Sequence, residues 1–389
     1  MLWAPLATLL PAALEPGAGV EYATIALTCM ALGAVSDRLL PWPRALLAPA
    51  IAAPLALTAD ALAGTQLLTR SLLGPDPVLG VRFYGIGNVL KSGLAVLVFA
   101  AVAAALYPLD RRDAAGRRRA AVAMAGAGAV LAAIEGPARI GAGVGGVILV
   151  CAGAAVATVA LLPGALTRRR ALSVAIAPVV GLIVLAVVDL TTAHGKGQYT
   201  HSVLHARSVG ALADLIGHRY ASAWHELGHG AMPVATAVAV LAAGLGIYRR
   251  ERLLAVVDGD PAWTAALAGG LTAGVVGALV EDSGPVLLVE AVFALACVLV
   301  YLWAGRVWAG RVTADRLGAR HAPADCASAG AVPRDGVSAE CPVLGSPSGI
   351  EVWDSSSRPL PADQQPSPDA PGSPALPRPS AASRTVNMN

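Results

Sequence analysis

The stretch GAGVGGVILVCAGAAVATVALL, residues 141–162, carries no charged side chain. A short loop, Arg168-Arg169-Arg170 and a second apolar run, 172–188, follow it. A helix needs ~20 mostly apolar residues to cross the hydrocarbon of a bilayer, so the pair reads as two crossings joined by a basic turn. The pattern recurs along the chain. Apolar stretches at 1–14, 22–36, 45–64, 83–107, 120–134, 141–162, 172–188, 231–248, 263–280 and 285–304 predict an all-α, polytopic transmembrane bundle of about ten spans.

Composition agrees with this class. The chain is 56% hydrophobic and only 14% charged, and its mean hydropathy is +0.64, which leaves too little polar surface for a water-soluble fold. The net charge of +3 arises from arginines confined to particular loops, so it speaks for membrane orientation and against nucleic acid as a partner. Five cysteines, three of them inside apolar stretches (Cys29, Cys151 and Cys297), give no extracellular disulfide framework.

Arginine follows every second span: Arg38 and Arg44, then Arg111, Arg112, Arg117, Arg118 and Arg119, then Arg168 to Arg170, then Arg249, Arg250 and Arg252. The positive-inside rule makes these loops cytoplasmic and, with ten spans, puts both termini inside a plasma membrane. Residues 1–305 form the membrane domain in this reading. Residues 306–389, rich in Pro and Ser, bury too little surface to offset their chain entropy and read as a disordered cytoplasmic tail.

The opposite ends of the spans carry a different set of residues. Asn88 and Lys91 open the fourth span, Glu135 and Arg139 flank the fifth and sixth, Asp189 closes the seventh, and Glu281, Asp282, Ser283 and Glu290 lie around the start of the tenth. Ionisable groups inside a bilayer are costly unless they meet a cavity or a partner, so the set reads as an outward-facing polar site. Arg82, Tyr84, Asn88, Lys91, Arg139 and Ser283 are its candidate binding groups for an anion. Glu135, Asp189, Asp282 and Glu290 are its candidate acid, base or coupling groups. Lys91 lies one turn after Asn88 on the same helix face. Gly141 and Gly145, like Gly270 and Gly274, have the small-xxx-small spacing of close helix contacts.

Six of the seven histidines fall between Asp189 and Gly230, and His225-Glu-Leu-Gly-His229 has the HExxH spacing. On a helix that places His225 and His229 on one face, with Glu226 beside them as a base and Glu281 or Asp282 as a third protein ligand for zinc. The glycines Gly228 and Gly230 weaken a helix where rigid ligands are needed. An amphipathic helix on the outer membrane surface, with Val209, Leu212, Ile216 and Tyr220 on its apolar face, is the favoured reading of this 189–230 loop.

Arg82-Phe-Tyr-Gly-Ile-Gly-Asn88, the Gly141–Gly146 helix start, Asp189 and Asp282-Ser283-Gly284 together resemble a group of uncharacterised multispan membrane proteins of Gram-positive bacteria. Some members look like fusions to an alkaline-phosphatase-like ectodomain, not found in this sequence. The resemblance covers about residues 70–300. It implies a cell-envelope role, a shared outer-face site and a separate extracytoplasmic phosphatase-like partner, but no particular reaction. The leading expectation is an envelope protein that binds a phosphorylated or lipid-linked anion, as a transferase or a transporter. A zinc-dependent membrane hydrolase using the HELGH motif and a non-catalytic membrane scaffold are the alternatives.

Overall fold

The computed structural model describes residues 1–320 apart from 65, 75–84, 138–139, 142, 193–216, 218–219, 222–224, 226 and 229, with residues 66, 192 and 309–320 described by backbone alone. The described chain is all-helical and has no strand. In order run α1 (Ala4–Ala7), α2 (Leu9–Leu14), α3 (Ala18–Leu39), α4 (Leu47–Ala63), α5 (Gln66–Arg70), α6 (Asn88–Leu106), α7 (Ala114–Glu135), α8 (Val144–Leu161), α9 (Arg168–Thr192), α10 (Met232–Tyr248), α11 (Arg250–Leu254), α12 (Pro261–Val280) and α13 (Pro285–Arg320).

Each of the ten apolar stretches forms helix, but not all are alike. Among the described residues seven helices are long and apolar enough to cross a membrane, or eight if α10 and the segment 250–257, bent by 75°, count as one span. Residues 1–14 instead form the two short helices α1 and α2. In α7, Arg117, Arg118 and Arg119 at the start and Glu135 at the end leave only 120–134 uncharged. These helices make the chain a multi-pass membrane protein. The last helix continues to Arg320, past residue 305 where the apolar pattern stops; Ala, Leu and Arg are good helix formers once the bilayer no longer dictates composition.

Helix α6 is central, packing against α4, α7, α8, α12 and α13. Leu90, Leu94, Phe99, Ala103 and Ala104 along it are buried. Between lipid-like surfaces there is no hydrophobic drive to hold helices together, so close packing and hydrogen bonds must do it. At the α8–α12 crossing, a Cβ on Gly153 would lie 2.7 Å from the Gly269 carbonyl oxygen, and one on Gly269 would lie 2.7 Å from that of Gly153. The two backbones touch through these glycines, with Phe99 beside them. Gly274 likewise packs on Ala291, as the small-residue spacing in α12 suggests.

Two ends of the bundle are distinct. At one, the Asp260 carboxylate caps α12 through the Ala262 and Trp263 amides and also accepts from Leu109 N at 2.6 Å, tying the end of α6 to the start of α12. Burial pushes the Asp260 carboxyl up from its usual value, against the pull of those amides and of Arg111. Arg111 donates to the Gly259 carbonyl, Arg117 to that of Leu161, and Arg306 pairs with Asp258. The arginine-bearing ends therefore gather together. At the other end, Asp60 accepts from the Leu67 and Leu68 amides, and the 2.7 Å bond from Ile86 N to Ile140 O joins the start of α6 to the approach to α8.

Replacing Gly153 or Gly269 by Val is expected to destabilise the protein by about 1–3 kcal/mol, since the neighbouring backbone cannot yield. Gly126→Ala in α7, where a Cβ would meet nothing within 4 Å, is expected to be neutral or stabilising by up to about 1 kcal/mol. Thermal unfolding of the three variants in one detergent checks the contrast.

Candidate functional site

At the end opposite the arginines, four helix termini bring polar side chains together. Helix α6 starts at Asn88 after the extended Gly87, so Asn88, Lys91 and Ser92 occupy its first turns and face inward. Asn88 and Ser92 are buried, and Lys91 is 0% exposed. A lysine so placed needs a counter-charge, because an unpaired buried ammonium costs several kcal/mol. Glu281, at the C-cap of α12, supplies it: Lys91 Nζ lies 2.8 Å from Glu281 Oε1 and also donates to Asn88 Oδ1 at 2.7 Å.

Asn88 extends the network. Its Nδ2 donates to Asp282 Oδ1 and, at 3.1 Å, to Ser283 Oγ, so one asparagine bridges the lysine to the turn between α12 and α13. Ser92 Oγ bonds Glu290 Oε2 at 2.8 Å and the Leu287 carbonyl at 2.7 Å, fixing α6 to α13. Gly93 leaves room for the Glu290 carboxylate.

Glu135, the last residue of α7, is 0% exposed and neither of its carboxylate oxygens has a hydrogen-bond partner among the described residues. It lies against the same wall as the lysine. A Cβ on Gly146 would stand 2.8 Å from Glu135 Oε2 and 3.2 Å from Lys91 Cδ. A Cβ on Gly143 would strike Lys91 Nζ, and one on Gly145 would strike the Glu281 carboxylate. The glycine-rich start of α8 is thus the floor on which three charged side chains rest. The sequence favoured helix contact for Gly141 and Gly145; the structure puts Gly145 against a carboxylate and Gly141 against the Glu135 backbone, because the loop doubles back with Gly143 N donating to Glu135 O at 3.1 Å.

Of the residues singled out from sequence, Asn88, Lys91, Glu135, Asp282, Ser283 and Glu290 meet here. Asp189, half-buried at the far end of α9, has Oδ2 without a hydrogen-bond partner among the described residues. Arg82, Tyr84 and Arg139 lie outside the described residues. Glu226 and His229 do too, and His225 is exposed. Glu281, read from sequence as a zinc ligand, is the ion-pair partner of Lys91, and no group of three His, Cys, Asp or Glu able to hold a metal occurs among the described residues. Ser92 and the floor glycines were not read as site residues. Their signal was present in register: Ser92 follows a buried lysine, and Gly143, Gly145 and Gly146 open a span beside an acidic turn.

Beneath the cluster the bundle is filled. Leu94, Leu149, Phe99 and Ala273 are buried between it and the Gly153–Gly269 contact. The site is therefore a buried polar cluster at one end of the bundle, with packed apolar side chains on its inner side. No protein family, no curated protein and no solved structure matches this chain.

Lys91→Met is expected to destabilise the protein by about 3–5 kcal/mol, since it strands Glu281 in the bundle. Pairing it with Glu281→Leu is expected to recover much of that loss. Unfolding of the two single variants and the double variant provides the cycle; additive losses would show that the two groups do not depend on each other.

Proposed function

We propose that this chain is a plasma-membrane protein of the cell envelope that binds a phosphorylated or lipid-linked anion at the polar cluster and transfers a group on it, working from the extracytoplasmic face. The observation that carries this reading is Glu135, a fully buried carboxylate without a hydrogen-bond partner among the described residues, set against the Lys91–Glu281 pair. A carboxylate left unpaired inside a membrane bundle is expensive, and such groups mark proton-handling sites.

In this reading Lys91, with Arg82 and Arg139, neutralises the bound anion, while Asn88 and Ser283 orient it through hydrogen bonds. Lys91 is already matched by Glu281, so the Glu135 carboxylate has no counter-charge of its own when an anion arrives. Glu135 takes up a proton on binding, which offsets the charge that the anion brings. Protonated in this way, Glu135 acts as acid to the oxygen that leaves when the group passes to an acceptor hydroxyl, whose own proton returns to Glu135; Asp282, Glu290 and Asp189 are supporting carboxylates. The packed centre of the bundle favours one-sided transfer; the same carboxylates would suit a proton-coupled carrier whose other gate opens in a second state.

Topology follows from the arginines. The arginine-bearing ends face the cytoplasm, α7 crosses as a further span because it runs from that end to Glu135, and α1 with α2 makes a short first pass, which gives ten spans and puts both termini inside. An impermeant thiol reagent on intact cells is expected to label a cysteine placed at Thr192 and to leave one at Leu166 untouched; the reverse pattern inverts the site's orientation.

The functional reading is tested by calorimetry of the purified protein with a polyprenyl phosphate, and separately with glycerol phosphate, in buffers of different ionisation heat. Binding of either is expected to take up about one proton, and Glu135→Gln is expected to bind without that uptake. No binding of either phosphate, or undiminished uptake by Glu135→Gln, would sink the proposal.

A further inference from the structure

Helices α7 and α9 both pack on α8, and between them runs a cleft of about 660 Å³. Its walls are apolar: Ala129 and Ala133 from α7, Val147 and Cys151 from α8, Ile176 and Val184 from α9. Along α9 the lining runs from Arg169 to Val188, which at 1.5 Å per residue is about 28 Å, close to the ~30 Å thickness of bilayer hydrocarbon. No described residue of α9 is buried, so the helix rests on α8 by one side only, where Gly181 meets Cys151 and Val147, and the cleft beside it stays open at the side.

Among the described residues that line the cleft, charge appears only at one end. Arg169 lines it there, and Arg168 stands next to it; both are exposed. Arg170 is committed to the carbonyls of Pro163 and Gly164, and Arg119 lies 4.0 Å from Asp113. Among the described residues Arg168 and Arg169 have no ion-pair partner. The sequence has no Asp or Glu between Glu135 and Asp189. A long apolar slot lying along the membrane depth, closed at one end by unpaired guanidinium groups, has the shape and polarity of a single anionic lipid.

We infer that this cleft is a binding site for an anionic phospholipid, the acyl chain lying between α7 and α9 on Val147 and Cys151 and the phosphate meeting Arg168 and Arg169. Arginine pairs with phosphate through two parallel hydrogen bonds, and basic pockets between membrane helices hold acidic headgroups in this way. The apolar walls account for the lipid chain, and a soluble phosphate would leave them uncovered. The site is separate from the polar cluster: its charged end is the arginine-bearing one, and it uses none of the residues that hold Lys91.

Native mass spectrometry of the full chain in mild detergent, loaded with equal phosphatidylglycerol and phosphatidylcholine, tests the assignment. Phosphatidylglycerol is expected to be retained about fivefold over phosphatidylcholine, and the double variant Arg168→Gln/Arg169→Gln to bring the ratio to about one. Ala133→Trp, which fills the cleft from an exposed position, is expected to lower retention of both lipids. Arg249→Gln/Arg250→Gln, in another basic loop, is expected to leave the preference unchanged. Equal retention of the two lipids by the unmodified protein overturns the proposal. So does a preference that survives the Arg168/Arg169 change, displacement of the lipid by glycerol phosphate, or a second copy of the chain retained in place of lipid and lost in Ala133→Trp.

Discussion

A lysine that water cannot reach sets the terms for one whole end of this bundle. Lys91 is held there by Glu281, 2.8 Å away, and by Asn88 Oδ1, which accepts a hydrogen bond from its Nζ. That requirement brings the end of α12 against the start of α6, and the same asparagine then fastens the α12–α13 turn. In a bilayer, where helices gain nothing from hiding apolar surface from one another, such a polar knot specifies neighbours more sharply than packing alone. Its cost explains why the knot is so fully bonded, apart from Glu135.

The glycines of α8 follow from that knot. Three charged side chains must approach one helix start, and any Cβ at positions 143, 145 or 146 would occupy the space they need. Small residues serve two ends of the same helix differently. Near its start they admit ionic side chains, and at Gly153 they admit the backbone of α12. The depth of a glycine relative to the membrane, more than its spacing, decides which of these it does.

Much of the architecture was legible because the bilayer imposes a one-dimensional code. Each apolar stretch became helix, and the clustered arginines marked ends that the structure gathers together. Legibility failed where the code is ambiguous. Residues 1–14 are apolar but broken into two short helices, and α7 has the length of a span with too many charges at its ends. For the polar cluster, sequence pointed to Asn88, Lys91 and Glu135 because polar and charged groups in apolar runs are conspicuous. It could not pair Lys91 with Glu281, nearly two hundred residues away, since pairing needs the fold. Ser92 carries no charge to set it off from its apolar neighbours, and Gly146 stood out only as one of a glycine cluster, not as a surface for charged side chains.

The arginines at the opposite end are more than address labels. Arg117 donates to the carbonyls of Leu161 and Leu162, and Arg170 to those of Leu162 and Pro163, groups that the end of α8 leaves without intrahelical partners. Residues that the positive-inside rule would read only as a topological signal thus also close off a helix. Topology and folding are written in the same letters, and a change that moved the positive charge elsewhere would leave α8 with open carbonyls. Replacing either arginine therefore removes a donor to the last carbonyls of α8 as well as a positive charge from the loop.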